Sequence, residues 1–225
     1  MEEASGVLFN IGPLAVTGRV TTMWAIILIL TLFSALATRN LKEVPGKLQN
    51  AAEMAVSKLR DYFYGCLGEE LTEKYFTVFA AFFIFIIVSN YSSLLPGMGH
   101  LAGASVPTAG LSVTAGLAIC GFFTNHIIGA KERGLGKYLL GMLTSMSLPL
   151  FFLAIIEQVV RPFSLALRLY GNLYGEEMVS ENLYHVFPVL MPLIMQVLSL
   201  LFGLIQAMVF TMLLSIYTRE AVEEE

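Results

Sequence analysis

The chain has 225 residues, of which 56% are hydrophobic and 13% charged, and its formal net charge is −4. Soluble domains carry about 25% charged residues, so this low fraction and a mean hydropathy of +0.74 exclude an ordinary soluble domain. The two cysteines, Cys66 and Cys120, show neither a CxxC pattern nor a metal-ligand spacing, and we predict that both are unpaired. Composition therefore predicts an integral membrane protein without a metal or other cofactor.

The first predicted element is a membrane span over residues 20–38, an apolar run of about the length that a helix needs to cross the bilayer. Arg39 directly follows it. Glu2 and Glu3 are unlike the basic start of a secretory signal, so we expect this span to be retained. In residues 41–74, basic and apolar positions alternate, which is typical of an amphipathic helix lying on the membrane surface.

Two further spans are predicted over residues 75–95 and 111–128. The last two apolar stretches, 138–175 and 186–218, each exceed the ~20 residues of a perpendicular crossing, and this excess favours strong tilt. An acidic connector, residues 176–185, separates them. The predicted fold is a single all-α membrane domain with about five crossings and one amphipathic surface helix.

The distribution of basic residues indicates the orientation of the chain. Ten of the 13 Lys and Arg residues follow the first, third or fifth predicted span, and five crossings place all of these segments on one side of the membrane. Cytoplasmic loops are enriched in Lys and Arg. We therefore predict that the N-terminus lies outside and the C-terminus in the cytoplasm.

The most informative stretch is residues 157–177, EQVVRPFSLALRLYGNLYGEE, which places charges within an apolar helix. At about 100° per residue, Glu157, Arg161 and Arg168 fall on one side of that helix, with Asn172 one turn further on. An arginine stays charged in a protein, and a charge near the bilayer centre costs about 2.5–3.5 kcal/mol even on a lenient scale. This polar stripe is therefore a candidate functional site.

The segment from Arg161 to Glu177, RPFSLALRLYGNLYGEE, resembles the signature of the a subunit of the rotary F-type ATP synthase. Four other segments match in the family's order and extend the resemblance over nearly the whole chain: VPGKLQNAAE, NYSSLLPG, PTAGLSVT and IQAMVFTMLLSIY. The resemblance implies a stator subunit whose last two helices form a steeply tilted hairpin beside a rotating c-ring. It also implies peripheral stalk b subunits and the complete F-type complex as partners, in membrane lipid and without nucleic acid.

The resemblance also implies roles for individual residues. Arg168 matches the arginine that lies between two offset aqueous half-channels, and Asn172 matches an amide one turn further on. Glu177 matches a carboxyl group of the outer half-channel, and Gln206 matches an amide on the last helix. We expect Glu176 to concentrate cations at the entrance.

Some positions depart from the family pattern or keep two interpretations open. Gly110 and Ser112 stand where many members have Asp and Asn, and Ser199 stands where some have His. Glu157 either lines the inner half-channel or belongs to an ion pair. The partner in that pair is Arg161, at the favourable i,i+4 spacing, or Arg168 on the same helix side.

Together these features predict a subunit that couples H⁺ translocation, or alternatively Na⁺ translocation, to ATP synthesis. The chain contains no Walker A motif, so we expect nucleotide chemistry on partner subunits. A self-contained transporter or channel binding an anion at Arg168 is the main alternative, although no inverted repeat supports it. A membrane hydrolase using Glu176, Glu177 and His185 lacks a nucleophile or metal motif. Without a transit peptide we expect a bacterial plasma membrane, with an organelle-encoded copy as the alternative.

Overall fold

The structure is a computed structural model that describes residues 7–11, 14–39, 46–95, 105–138, 148–184 and 190–223. Its strands are β1 (Val7–Ile11) and β2 (Leu14–Thr17), and its long helices are α1 (Gly18–Thr38), α2 (Lys47–Leu67), α3 (Glu69–Tyr91), α4 (Leu111–Arg133), α5 (Leu148–Tyr184) and α6 (Leu190–Glu223). Short 3₁₀ turns cover Ser92–Leu94 and Pro107–Ala109.

The long helices expose apolar surface, as the helices of membrane proteins do. Within the described ranges, four are long and apolar enough to cross a bilayer: Gly18–Thr38, Glu69–Leu94, Leu111–Arg133 and Leu193–Glu223. Large apolar side chains lie exposed on them, among them Ile29, Phe123 and Val197, as expected where the surrounding solvent is lipid. The prediction of an all-α integral membrane protein is confirmed.

A short antiparallel hairpin of β1 and β2 precedes α1, with Val7 opposite Thr17 and Ile11 opposite Leu14. The sequence analysis did not predict it. A Gly-Pro dipeptide at positions 12–13 separates two apolar runs, and such dipeptides mark turns. The hairpin adds a small extra element at the start of the bundle and leaves the helical class unchanged.

The predicted surface helix is shorter than residues 41–74. The helix α2 covers Lys47–Leu67, and Gly68 separates it from α3 with a φ of 84°. That left-handed conformation suits glycine, which has no Cβ to clash with the backbone. Residues 69–74 therefore begin the next helix, and the α3 span starts at Glu69 instead of residue 75. Residues 41–45 of the prediction lie outside the described part.

The helix α2 folds back against the bundle and docks on α6. Phe63 is fully buried and contacts the rings of Phe76 and Phe79. The Tyr62 hydroxyl donates a hydrogen bond to the Met208 carbonyl oxygen at 2.7 Å. Burial raises the pKa of Tyr62 to about 12, so this hydroxyl keeps its proton at physiological pH. The amphipathic helix is thus tied to the last helix by a neutral donor.

The helix α6 is the central element, because it packs against α2, α3, α4 and α5. A small residue allows this close packing: a Cβ added at Gly121 would lie 2.8 Å from Leu214 Cδ1. The Asn90 side chain donates a hydrogen bond to the Gly203 carbonyl oxygen at 3.0 Å. The polar end of α3 is therefore in direct contact with α6. These contacts fix α6 as the axis of the bundle.

The last two helices are long, as predicted, but their bounds differ from the predicted ones. The 37 residues of α5 and 34 residues of α6 correspond to about 55 and 51 Å, against a hydrocarbon core of ~30 Å. The segment predicted as a connector, 176–185, is helical as far as Tyr184, since it contains neither Gly nor Pro. Pro162 lies inside α5 without ending it. Residues 139–147 and His185 lie outside the described part.

Candidate functional site

Arg168 lies on a side of α5 that the described part of the chain leaves uncovered. An adjoining side of the helix is buried against the bundle, with Leu165, Leu169 and Leu173 each less than 10% exposed. Arg168 itself is exposed, and among the described side chains no carboxylate forms an ion pair with it. The guanidinium is therefore presented outward from the bundle, with its charge uncompensated by those groups.

One turn beyond Arg168, an amide pair joins the two long helices. Asn172 Nδ2 donates to Gln206 Oε1 at 2.7 Å. Gln206 is only 3% exposed, and its own Nε2 has no hydrogen-bond partner among the described residues. A buried donor without a partner costs about 1–3 kcal/mol, so this amide is a costly feature of an otherwise apolar interface. The structure brings together two of the residues that the resemblance singled out.

Arg161 joins the same two helices nearer the C-terminus of α6. Its Nη2 lies 2.5 Å from Glu157 Oε1 and 2.9 Å from Glu220 Oε2, and its guanidinium stacks 4.6 Å from the centre of the Tyr217 ring. The i,i+4 pair between Arg161 and Glu157 is thus confirmed. Glu157 bonds Arg161, which leaves the alternative pair with Arg168 unsupported.

A cavity of about 40 Å³ lies between α4, α5 and α6 on the inward side of Arg161. It is large enough for water and has the polar partners that water needs. His126 Nδ1 lies 2.6 Å from the Tyr138 hydroxyl, and the Thr218 hydroxyl donates to Asn125 Oδ1. The polar residues of its wall are Asn125, His126, Tyr138, Gln158, Arg161 and Tyr217.

Charged residues gather at the end of the bundle where Arg161 lies. Lys74 Nζ lies 3.0 Å from Glu132 Oε2, which joins the start of α3 to the end of α4. At the end of α6, Arg219 pairs with Glu223 at 2.7 Å, and a Cβ on Gly129 of α4 would meet Ala221 at 3.3 Å. The start of α3 and the ends of α4 and α6 therefore lie together, as alternating crossings by these three helices require.

Glu176, predicted as an entrance charge, does not pair with Arg168. Glu176 is partly buried and lies eight residues further along α5, a distance of about 12 Å along the axis. Glu177 is also part of α5, and its side chain lies outside the described part. Their roles stay predictions.

The three positions that depart from the family pattern have different surroundings. A Cβ on Gly110 would lie 2.7 Å from Arg19 Cδ, so the Arg19 side chain occupies the space into which a longer side chain at position 110 would extend. Ser199 is 9% exposed on α6, and Ser112 is exposed near the start of α4.

Several residues of this site were missed by the sequence analysis, above all Tyr217 and Glu220. A signal for them exists, because at about 100° per residue they fall within about 20° and 40° of Gln206 around α6. One side of that helix thus carries three groups that reach α5. The contacts of Arg19 with Gly110 and of His126 with Tyr138 correspond to no comparable pattern in the sequence.

The fold and site define a multi-pass, all-α membrane protein with an exposed arginine that has no ionic partner among the described side chains. Comparison with known proteins identifies its family. Residues 20–219 match the family model described as ATP synthase A chain. The chain belongs to this family, which confirms the resemblance to the a subunit of the membrane sector of the F-type ATP synthase. It is therefore a transmembrane protein of ATP synthesis and ion transport.

Individual relatives support the same membership. The chain is 39% identical over 207 residues to ATP synthase subunit a 3 of Pelobacter propionicus, covering 91% of this chain and 87% of that protein. It is 37% identical over 203 residues to ATP synthase subunit a of Geotalea daltonii, covering 89% and 86%. It is also 37% identical over 213 residues to ATP synthase subunit a of Moorella thermoacetica, covering 93% of each. The similarity thus extends over nearly the full length of bacterial membrane proteins.

Proposed function

We propose that this chain is the ion-conducting stator of its complex and that Arg168 is the charge which prevents ions from leaking past the c-ring. The observation that carries the proposal is the position of Arg168, exposed on the uncovered side of α5 and unpaired among the described side chains. A structural arginine in an apolar helix needs a partner from its own chain. Arg161 has two such partners, and Arg168 is available for a group on the ring.

The physical effect of this charge is local. A ring carboxyl group that comes within about 4–6 Å of a guanidinium has its pKa lowered by ~1–3 units, so it releases its ion as it approaches Arg168. The same positive charge repels a cation that would cross directly from one half-channel to the other. Because arginine keeps its proton even when buried, the barrier persists throughout rotation. Ions then cross only by riding on the ring.

The half-channels in this proposal are built from polar groups on either side of Arg168. Glu176 and Glu177 lie towards the end of α5 and serve the outer half-channel, and Glu157 lies towards its start and serves the inner one. The Asn172–Gln206 pair holds α5 and α6 in register next to Arg168. α5 provides the fourth of five crossings and is tilted with α6 beside the ring. Five crossings put the termini on opposite sides, and the basic segments then give an outer N-terminus and a cytoplasmic C-terminus.

The partners follow from this arrangement. The exposed apolar residues of α5 beside Arg168, such as Phe163 and Leu167, fit the apolar outer surface of a c-ring of helical hairpins. The basic, exposed residues of α2, including Lys47 and Lys58, fit a peripheral stalk of b subunits at the membrane surface. We take the coupling ion to be H⁺, with Na⁺ as the alternative. The carboxylate site of the ring determines which of the two ions is bound.

The test is ion-driven ATP synthesis in vesicles that contain the whole complex, with H⁺ and Na⁺ gradients imposed separately. We expect Arg168→Ala to abolish synthesis while the complex still assembles, because the exposed side chain makes no described contact that folding needs. Arg39→Ala is the matched control: it removes an exposed arginine just after α1 and should leave the rate unchanged.

A normal rate of synthesis in assembled Arg168→Ala complexes would contradict the proposal. The gradient that drives the wild-type complex identifies the ion. The transporter alternative makes a different prediction, namely flux across vesicles that contain this chain alone. The stator should be inert there.

A further inference from the structure

Arg161 differs from an ordinary helix anchor because its closest partner is on its own helix. The Nη2–Oε1 distance to Glu157 is 2.5 Å, against 2.9 Å to Glu220 Oε2 on α6. Its Nε also donates to Glu157 Oε1, at 3.2 Å. An i,i+4 ion pair within one helix contributes little to stability. Contact with Glu220 and Tyr217 already suffices to join α5 to α6, so the bonds to Glu157 call for another explanation.

The arrangement places the cation inside and the carboxylates outside. The Arg161 side chain is 19% exposed, while Glu157 and Glu220 are 56% and 45% exposed. One guanidinium between two carboxylates leaves a net negative charge, displayed towards the surroundings of the bundle. A surface of this sign raises the local concentration of cations.

Arg161 also separates this negative surface from the interior cavity between α4, α5 and α6. The described titratable groups around it are Glu157 on its own helix, Tyr217 and Glu220 on α6, His126 on α4, and Tyr138 after α4. The cavity wall offers polar groups for water on the inward side. Arg161 thus bonds both exposed carboxylates while its side chain also lines the cavity.

We propose that Arg161 is a positioning residue of the inner half-channel, which holds the Glu157 carboxylate at the uncovered side of α5 and ties that helix to Glu220 of α6. Cations that leave the ring towards the cytoplasm then meet a carboxylate of fixed position. The inference rests on the proposed stator function, because it assigns Glu157 to the inner half-channel. It extends that function to a residue that does not itself exchange ions.

The test compares Arg161→Gln with Glu157→Gln in vesicles carrying the whole complex. ATP synthesis is measured while the pH on the cytoplasmic side is varied at constant outer pH, and then the reverse. We expect each variant to lower the rate by about tenfold, equivalent to about 1.4 kcal/mol in the barrier. Both should shift the profile against cytoplasmic pH in the same way and leave the profile against outer pH unchanged. The double variant should be no slower than either single one.

Three further variants separate positioning from folding. Arg161→Lys keeps the charge and should restore most of the rate. Glu220→Gln removes the ionic tie to α6 and one displayed carboxylate but keeps the bonds between Arg161 and Glu157; it should lower the thermal stability of the complex without reproducing the shifted pH profile. Glu223→Gln, which removes the exposed pair with Arg219 one turn later on α6, is the matched control and should resemble the wild type.

Two results would overturn the inference. One is an assembled Arg161→Gln complex with the rate and pH profile of the wild type. The other is loss of assembly in both Arg161→Gln and Glu220→Gln together with a normal profile in Glu157→Gln, which would make Arg161 an anchor alone. Arg168→Ala in the same vesicles keeps the two proposals apart: normal synthesis there contradicts the stator mechanism itself, whatever the Arg161 variants do.

Discussion

Arg168 and Arg161 lie about two turns apart on α5, yet the chain surrounds them differently. Arg161 is mostly buried between two carboxylates and an aromatic ring, and Arg168 is exposed without a described ionic partner. A charged side chain in an apolar helix is stabilised either by groups of its own chain or by groups of a partner protein. The contrast between these two arginines is the strongest residue-level support for a partner beside α5.

The amide pair beside Arg168 gives a prediction at the same scale. Gln206→Leu replaces a buried amide, whose Nε2 has no described partner, with an apolar group of similar size. Asn172 loses its acceptor but is exposed, so thermal stability should change little. The rate of ATP synthesis should nevertheless fall by about tenfold, because α5 loses its hydrogen bond to α6 next to Arg168. Both quantities are measured on the assembled complex.

Asn172→Ala provides the control for that variant. It leaves Gln206 Oε1 buried without its donor, so it should lower stability by about 1–3 kcal/mol as well as the rate. In a double-mutant cycle the two changes should be coupled by about 0.5–3 kcal/mol, as residues in contact are. A Gln206→Leu complex with the wild-type rate, or two changes that simply add, would show that this pair plays no part in conduction.

The sequence predicts local pairing between residues better than pairing across helices. The pair of Arg161 with Glu157 follows from an i,i+4 spacing that any α-helix brings together. The contact of Arg161 with Glu220 depends on how α6 is rotated against α5, and that rotation is set by packing with α3 and α4. For this reason the contacts of Arg161 with Glu220 and with the Tyr217 ring could be identified only from the structure.

At the scale of the elements, the close approach of α4 and α6 gives a sharp test. Gly121→Ala would bring a methyl group to 2.8 Å from Leu214 Cδ1, and overpacking of this kind costs about 1–3 kcal/mol. Gly116→Ala, on the same helix, meets nothing within 4 Å and should be neutral or stabilising by about 0.5–1 kcal/mol, the usual gain of alanine over glycine in a helix. Thermal unfolding of the purified complex distinguishes them; equal midpoints would argue against the α4–α6 contact.

Helix ends were harder to predict than helix existence. Each apolar run produced a helix, but Gly68 divided the second from the third earlier than the basic pattern suggested. The acidic residues after Gly175 extended α5 to Tyr184 instead of forming a connector. In both places charge suggested an aqueous loop, while the backbone followed the local preference of glycine to break a helix and of the other residues to continue one.

At the scale of the whole molecule, α6 organises the bundle and α5 covers only one side of it. The helix α5 buries Leu169 on one side and leaves Phe163 64% exposed on the other. The charged ends of α3, α4 and α6 gather together, consistent with alternating crossings. An uncovered helix side with an arginine in it is suited to a moving partner, because a permanent neighbour from the same chain would block rotation.

The central claim is that Arg168 forces ions to travel on the ring. The most direct measurement is ion flux across vesicles that contain the membrane sector without its nucleotide-hydrolysing head, with the ring covalently locked to the stator. We predict that the locked wild-type sector holds an imposed gradient and that the locked Arg168→Ala sector dissipates it, with Arg39→Ala behaving as the wild type. An Arg168→Ala sector that remains tight would contradict the account, since the charge would then not be the barrier between the two half-channels.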